Sequence, residues 1–496
     1  MARASIADVE RRGTATAERA AGPVYRLLPA AGRAAAAPVL DPTQQAVVDH
    51  AGGPLLVLAG PGTGKTTTVV EAVAARIAAG VDPEQILVLT FSRKAAAELR
   101  RRVTARVGRT TREPLARTFH SYAYGVLRRA ALLRAEPPPR LLTAAEQDAV
   151  IAELLRGDVE EAGAVRWPGE LLPALGTAGF RTELRELLLR ATERGVGPDR
   201  LAAWGRELDR EPWVHVAAFQ EQYEAVTAFA TAARGDASGY DPAELVRAAI
   251  AELSGDPELL RQERERARWL FVDEYQDTDP AQVELLELLA GGGGNLVAVG
   301  DPDQSIYAFR GAEPRGITDF PHRFPHRDGR PAGTVPLGVC RRSGSELLAV
   351  TRRVVEGLPG PWAHRRLAAG EATPPGAAEV HVFASAALEA AYLADRLRRA
   401  DLLVAVPWSA MAVVVRSTAS LGALRRSLAQ AGVPVAVSAD DLPLAQQPAV
   451  APFLQVLAAL LPAPDGDRAA EAGLDETAAE ALLAGPLGGA TVLDVR

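Results

Sequence analysis

Lys65 and Thr66 end a glycine-rich turn, GPGTGKT, that comes directly after four apolar residues at 55–58. An apolar run of this kind predicts a buried parallel strand, and the residues after the turn predict a helix. Glycines let backbone N–H groups face an anion, and the N-terminus of the helix points at it. The stretch therefore predicts a phosphate-binding loop in which Lys65 reaches the β- and γ-phosphates and Thr66 binds Mg²⁺.

This loop departs from the usual pattern G-x-x-x-x-G-K-[ST] at one position, because Ala59 stands where the first glycine is expected. The rest of the pattern is intact and lies between a strand and a helix, which favours nucleotide binding over a chance glycine-rich turn. The predicted nucleotide-binding residues of the loop are Ala59, Gly60, Pro61, Gly62, Thr63, Gly64, Lys65, Thr66 and Thr67.

A pair of acids follows a second apolar run in LFVDEYQD, where Asp273 ends the predicted strand and Glu274 comes next. A carboxylate at such a strand end can hold the Mg²⁺ of a nucleotide. Glu274 is then placed to orient or deprotonate an attacking water. Adjacent acids at a strand end are also common as solvated loop residues, and the phosphate loop upstream favours the catalytic interpretation.

A third motif, VGDPDQSIYAFRGA, starts at another strand end, where parallel sheets place their ligand crevice. Gln304 could contact a γ-phosphate and respond to its hydrolysis. Tyr307, Phe309 and Arg310 combine two aromatic rings with a cation, and such clusters stack bases and contact phosphates in single-strand grooves. Taken by themselves, the two aromatics could equally be core residues and Arg310 a surface charge.

Four apolar runs, at 55–58, 86–91, 268–273 and 295–300, predict strands of one parallel sheet. Asp41 and Ser92 are the expected N-caps of two helices beside it, and ARTFHS at 116–121 is expected to open another helical segment. From 126 to 262 the chain has helical patterns, which predict an all-helical insertion.

A second αβ series starts after 330. Its strands are predicted near 380–383, 411–416 and 433–438, and its helices at 388–399, 421–431 and 448–461. The predicted domains are a loosely ordered tail at 1–36, a first α/β domain at 37–125 and 263–330, the helical insertion at 126–262, a second α/β domain at 331–461 and the start of another helical insertion at 462–496.

The amino-acid composition excludes some classes of protein and some kinds of binding site. The 496 residues are 48% hydrophobic and 24% charged, which is typical of a globular protein of several domains. The net charge of −7 gives no global footprint for nucleic acid, so a DNA site must be a local groove. With one cysteine, neither a disulfide framework nor a cysteine-based zinc site is expected. We expect a cytoplasmic protein with no membrane span.

In this order, the motifs resemble those of the superfamily 1 helicases of the UvrD/Rep/PcrA type. The phosphate loop of that family carries alanine where Ala59 stands. Its glutamine motif is similar to LDPTQQAVV, which implies that Gln44 recognises the adenine edge. LTFSRKAAAELRRRV and TFHS resemble its DNA motifs, which implies base stacking by Phe91 and DNA contacts by Thr118 and His120.

The later motifs extend the resemblance. DEYQD fits the metal motif DExxD, and QSIYAFRGA is similar to the motif that couples ATP to DNA. LGVCRRS resembles LxxNYRS, which implies that Arg342 reaches the γ-phosphate from a second domain. Phe309 replaces a usual tryptophan, Arg341 replaces a tyrosine that stacks on adenine, and Cys340 replaces an asparagine. A guanidinium plane can also stack.

The resemblance implies two RecA-like domains, the second incomplete, and an ATP- and Mg²⁺-dependent 3′ to 5′ DNA helicase. Its expected partners are single-stranded DNA, single-strand/double-strand junctions and a second helicase or nuclease subunit in repair or recombination. Nothing after Arg342 resembles the last two helicase motifs, so we expect a C-terminally truncated chain. The alternatives are an ATP-gated DNA-binding subunit or inactive fragment, and a P-loop enzyme for small molecules, which leaves TFHS and QSIYAFRGA unexplained.

Overall fold

A computed structural model gives the fold of the chain, and contacts within it divide the chain into two compact units, Met1–Ala378 and Glu379–Arg496. The predicted tail at 1–36 lies outside the described residues, as do Phe309 and Arg310. The structure describes residues 38–108, 115–160, 165–234, 239–307, 311–313, 315–417, 420–436, 450–460, 476–483 and 488.

A parallel sheet of six strands forms the centre of the first unit. In chain order the described strands are β1 (Leu55–Ala59), β2 (Ile86–Thr90), β3 (Ala116–Thr118), β4 (Arg140–Leu141), β5 (Gly239–Tyr240), β6 (Trp269–Val272), β7 (Asn295–Gly300), β8 (Gly333–Leu337), β9 (Val339–Cys340) and β10 (Ala368–Ala369). The order across the central sheet is β3-β2-β6-β7-β1-β8. Strands from before and after the long helical stretch therefore share one sheet, as predicted, and the α/β class is confirmed.

Helices cover both faces of this sheet. In chain order the described α-helices are α1 (Pro42–Val48), α2 (Lys65–Ala78), α3 (Arg93–Val107), α4 (Phe119–Leu133), α5 (Ala144–Glu160), α6 (Leu172–Leu175), α7 (Ala178–Glu193), α8 (Pro198–Glu207), α9 (Glu211–Arg234), α10 (Pro242–Gly255), α11 (Pro257–Arg266), α12 (Pro280–Ala290), α13 (Arg315–Arg323), α14 (Ser345–Val355), α15 (Ala386–Val404), α16 (Leu421–Gln430), α17 (Ala451–Leu460) and α18 (Glu476–Leu483). Among them, the structure describes no helix with the length and apolarity needed to cross a bilayer.

Side chains of β1 alternate between the two cores, because successive residues of a strand point to opposite faces. Leu56 and Leu58 join a core with α4, α10, α12 and α13. Leu55 and Val57 join the other, with α1, α2 and α3. This double burial explains why the strand is apolar at every position. Its carboxyl end is thereby fixed between two layers of helices.

The predicted N-caps are both confirmed. The side chain of Asp41 accepts hydrogen bonds from Thr43 N and Gln44 N, and the Gln44 side chain accepts one from Asp41 N, which makes a capping box. Ser92 Oγ accepts from Ala95 N at the start of α3. These caps satisfy N–H groups that lack partners within the helix.

The helical insertion has a separate core. This core contains residues from all five helices between α5 and α9, among them Ile151, Leu184 and Phe219. By contrast, α10 and α11 pack against the sheet, so this core is narrower than the predicted range 126–262. The prediction of an all-helical insertion is wrong at β4 and β5, which pair in parallel over two residues each. Runs that short show no strand periodicity in the sequence.

The positions of two strands, β3 and β8, differ from the prediction made from the sequence. Residues 116–118 form the edge strand β3 instead of opening a helix, because Thr118 is the N-cap of α4 and the helix begins at Phe119. β8 lies beyond the predicted end of the first domain at 330, yet it pairs with β1 from Leu55↔Gly333 to Ala59↔Leu337.

The second unit contains the predicted helices α15, α16 and α17 but not the predicted strands. The segments at 380–383 and 411–416 are not strands, and Val380 and Val414 are 92% and 93% exposed. The described residues at 433–436 are not a strand either, and 437–438 lie outside the description. A β-branched run favours an extended backbone, but a strand also needs a neighbour to complete its hydrogen-bond ladder.

Candidate functional site

The predicted phosphate loop connects β1 to α2. Gly62 and Gly64 have φ values of +73° and +86°, which glycine adopts without strain. A Cβ atom at Gly62 would lie 2.6 Å from Arg342 Cβ, so only glycine fits there. Thr63 Oγ1 donates to Gly60 O at 2.8 Å and stabilises the turn. The N-terminus of α2 therefore opens onto a preformed loop, the arrangement that binds phosphates.

Three motifs meet at Lys65. Its Nζ donates to Gln304 Oε1 at 3.1 Å and lies 3.3 Å from Glu274 Oε2. The motifs follow β1, β6 and β7, which are neighbours in the sheet and end at the same edge. This edge is where parallel sheets bind ligands. We call Lys65, Asp273, Glu274 and Gln304 the nucleotide wall.

Crowded carboxylates define the acidic part of the nucleotide wall. Asp273 is buried, and burial together with the Glu274 carboxylate raises its pKa to about 7. Burial and Glu274 also raise the pKa of Asp277 to about 6. Glu274 has a left-handed backbone (φ 56°), a strained conformation for a glutamate that is found mostly at functional sites. A divalent cation would relieve this repulsion, so Asp273 and Thr66 suit Mg²⁺.

Gln276 joins the acidic motif to the coupling motif. Its Nε2 donates to Glu274 Oε2 at 2.9 Å, and its Oε1 accepts from Asp301 N at 2.9 Å. Gln304 Nε2 donates in turn to Asp301 Oδ2 at 2.6 Å. The sequence did not single out Gln276, which is the second variable position of DExxD, and its role depends on a strand 25 residues downstream.

The residues expected near the base lie against the same loop. Gln44 is 2% exposed, and its Nε2 donates to Thr63 O at 3.0 Å. Arg341 Nη2 is 2.9 Å from Asp41 Oδ2, and Arg341 N donates to Gly62 O at 2.8 Å. The segment after β9 is thus held on the phosphate loop, with Arg342 exposed beside Gly62.

The remaining loop residues also lie on this surface. Pro61 is exposed, and Thr66 is partly buried in the first turn of α2. Thr67 Oγ1 accepts a hydrogen bond of 2.8 Å from Arg102 Nη2 on α3. Arg102 was not predicted as a site residue, since its position among many arginines of α3 carries no distinguishing signal.

Three of the six predicted DNA contacts, Phe91, Thr118 and His120, line one cavity. It has a volume of about 590 Å³ and is open to solvent. We call it the DNA cavity, and its lining residues are Phe91, Arg93, Ala96, Arg100, Arg117, Thr118, His120, Ser121, Tyr124, Leu141, Pro242 and Leu245. Three arginines therefore accompany Phe91, Thr118 and His120, which gives an acidic protein a local basic groove.

Tyr307 stacks on Phe91, which is one of the residues that line the DNA cavity. The two rings stack with centroids 4.5 Å apart and an interplanar angle of 29°. Thr118 Oγ1 accepts a hydrogen bond from Ser121 N at 3.2 Å. Burial, with a smaller effect of Arg93, lowers the pKa of His120, which favours the neutral form of its ring.

A parallel sheet that places a glycine loop, a lysine, an acidic pair and a glutamine at one edge defines a P-loop nucleotide-binding protein. The family model of the UvrD/REP helicase N-terminal domain matches residues 40–325. The chain belongs to the UvrD/REP helicase family, which confirms the resemblance seen in its motifs.

Individual relatives agree with this assignment. ATP-dependent DNA helicase UvrD1 of Mycobacterium tuberculosis is 32% identical over 410 residues, 80% of this chain and 49% of the relative. UvrD2 of the same species is 30% identical over 415 residues, 79% of this chain and 54% of the relative. DNA helicase II of Escherichia coli is 30% identical over 311 residues, which are 62% of this chain and 39% of the relative. The chain thus spans about half the length of the curated relatives it matches.

Proposed function

We propose that the chain is an ATP-dependent DNA motor whose ATP hydrolysis is stimulated by single-stranded DNA. The contact of Lys65 with both Glu274 and Gln304 carries this proposal. It joins a phosphate-binding cation, a candidate base and a candidate γ-phosphate sensor in one place. Tyr307, three residues after Gln304, lies against Phe91 of the DNA cavity.

On the nucleotide side, Lys65 pairs with Glu274 at 3.3 Å. Phosphates of ATP would compete for Lys65 and release the Glu274 carboxylate to orient a water and accept its proton. Asp273 and Thr66 would hold Mg²⁺, which neutralises phosphate charge when bound. Arg342, exposed beside Gly62, would supply a further positive charge to the γ-phosphate.

In the DNA cavity, arginines and aromatic rings would contact different parts of the DNA. Arg93, Arg100 and Arg117 would neutralise backbone phosphates, while Phe91 and Tyr307 stack on bases. A change at Gln304 on hydrolysis would pass along three residues to Tyr307 and alter this stack. Phe309 and Arg310 are proposed for the same stacking and phosphate-binding roles on the family resemblance alone.

The proposal also includes finer points that the family resemblance supports. UvrD1 and UvrD2 of Mycobacterium tuberculosis are named as ATP-dependent DNA helicases. We extend to this chain a 3′ to 5′ polarity, binding at single-strand/double-strand junctions, a second helicase or nuclease subunit as partner, and a cytoplasmic role in DNA repair or recombination.

The test is an ATPase assay of the full chain with and without single-stranded DNA. DNA-stimulated turnover that Glu274→Gln lowers by about 10²- to 10⁴-fold supports the motor. Binding of both ligands without turnover favours the alternative of an ATP-gated DNA-binding subunit. If single-stranded DNA neither binds nor stimulates hydrolysis, the proposal is contradicted and a P-loop enzyme for small molecules takes its place.

A further inference from the structure

An ion pair between the buried Arg365 and the partly buried Asp303 holds the turn that carries Gln304. The turn is a 3-10 helix at Pro302–Gln304. Arg365, 6% exposed, donates to both oxygens of Asp303: Nε to Oδ2 at 2.7 Å and Nη2 to Oδ1 at 2.6 Å. Burial raises the pKa of Asp303, but these bonds outweigh it and leave the pKa below its ordinary value. Two parallel bonds fix direction as well as distance.

The segment that carries Arg365 also packs on the phosphate loop. A Cβ at Gly60 would lie 3.0 Å from the carbonyl oxygen of His364 and 2.9 Å from Leu367 Cδ1. From its other side, Arg365 donates to Leu358 O at 3.0 Å and to Pro359 O at 2.8 Å. These two bonds to backbone carbonyls fix the orientation of the guanidinium towards Asp303.

The same cluster could be taken for a metal site, because Asp301, Asp303 and His364 bring their ligand atoms within 4.8 Å of one another. However, His364 Nε2 already lies between the two carboxylates, 3.3 Å from Asp301 Oδ1 and 3.1 Å from Asp303 Oδ2. Arg365 occupies both oxygens of Asp303. The chain thus supplies its own cation, and a metal ion would have to displace it.

We propose that Arg365 is a positioning residue for Gln304. Asp303 immediately precedes Gln304, and Asp301 accepts a hydrogen bond from the Gln304 side chain. The middle residue of the three-residue turn and the side chain of its last residue are thereby held, which directs Gln304 Oε1 to Lys65 Nζ at 3.1 Å. This role rests on the proposed function of Gln304 as the γ-phosphate sensor. Without Arg365 the turn would relax, and the site would distinguish ATP from ADP less well.

The experiment measures Kd for ATPγS and for ADP with Mg²⁺ on the full chain. Arg365→Met should lower the preference for ATPγS by about fivefold or more, with ADP affinity nearly unchanged. Arg365→Lys should lose less, because it keeps the charge but not the two parallel bonds. Asp303→Asn removes the same ion pair in a nearly isosteric way and carries the test where Arg365→Met does not fold. Thermal melts show which variants are folded.

The control is Arg366→Met, because Arg366 is the adjacent arginine and is exposed. It should leave both Kd values as in the wild type. Gln304→Ala should lower the preference as Arg365→Met does, and the double variant should lower it no further than Gln304→Ala. Additive losses would overturn the proposal, as would an unchanged preference in folded Arg365→Met and Asp303→Asn.

The two proposals fail in different ways. A wild-type chain without DNA-stimulated hydrolysis contradicts the proposed function, whereas the ratio of the two Kd values does not depend on turnover. A wild-type preference for ATPγS that survives the loss of the ion pair contradicts the positioning role only.

Discussion

The nucleotide wall and the DNA cavity are built in opposite ways. In the nucleotide wall, charged side chains already pair with each other, as Lys65 does with Glu274. The DNA cavity instead combines an aromatic stack with arginines around an open volume of about 590 Å³. On the proposed function, the first would bind a compact anion at defined atoms, and the second would hold a long polyanion of any sequence. We therefore expect mutations and salt to affect the two regions separately.

The largest effect is expected at the nucleotide wall. Lys65→Ala removes the cation proposed to bind the phosphates and should lower ATP turnover by at least about 100-fold. Affinity for single-stranded DNA without nucleotide should stay nearly unchanged. Steady-state ATPase and fluorescence anisotropy measure the two. Arg210→Ala, at an exposed arginine between α8 and α9, is the control. A comparable loss of DNA binding in Lys65→Ala would remove the distinction between the regions.

An intermediate effect is expected in the DNA cavity. Phe91→Ala removes a stacking ring and should weaken binding of single-stranded DNA by about 1–3 kcal/mol. The affinity for ADP should not change. Phe229→Ala, at a phenylalanine of α9 that is 75% exposed, is the control. Equal DNA affinity of both variants in anisotropy titrations would exclude Phe91 from the DNA surface.

The salt dependence of DNA binding should further distinguish the DNA cavity from the nucleotide wall. Arg100 lines the DNA cavity, whereas the neighbouring Arg101 pairs with Glu98 at 2.7 Å. Arg100→Ala should reduce the slope of log Kd for DNA against log salt concentration by about one, because one phosphate contact is lost. Arg101→Ala should keep the wild-type slope. If the two variants have equal slopes, Arg100 does not contact phosphate.

The smallest effect concerns the free energy of unfolding, at the place where the helical insertion meets Gly311 of the coupling motif. Glu193 lies beneath Gly311, and burial, together with the Asp279 carboxylate, raises its pKa to about 7 against the opposing charge of Arg190. The folded state therefore keeps a proton that the unfolded state releases above about pH 4.5. The free energy of unfolding should fall as pH rises from about 4.5 to about 7.

Glu193→Gln tests this expectation. It should raise Tm by about 2–4 °C at pH 8 and have no effect at pH 4.5, where the wild-type side chain is already protonated. Calorimetry at both pH values measures it. Affinities of both regions for their ligands should be unchanged. A lower Tm at pH 8 would mean that the ion pair with Arg190 outweighs the burial of the charge.

Local signals in the sequence were sufficient for much of the first unit. The apolar run of β1, the glycines of the phosphate loop and the caps Asp41 and Ser92 act through neighbouring residues, so they could be predicted. The meeting of Lys65 with Gln304, 239 residues later, could be anticipated because both follow strands of one parallel sheet.

Long-range pairs without a pattern could not be predicted. Arg365 and Asp303 are 62 residues apart, and Arg341 and Asp41 are 300 apart. Nothing in the type or spacing of those residues indicates that they pair with each other. The strands predicted at 380–383 and 411–416 fail for the related reason that a ladder depends on a partner strand, which an apolar run cannot specify.

The central claim is that the nucleotide wall and the DNA cavity are coupled through the segment from Gln304 to Tyr307. The most direct test is the affinity of the full chain for single-stranded DNA with and without ATPγS and Mg²⁺. We predict a change of about fivefold or more, matched by an equal change in ATPγS affinity when DNA is bound. The change should disappear in Gln304→Ala. An identical DNA affinity with and without ATPγS in the wild-type chain would contradict the account.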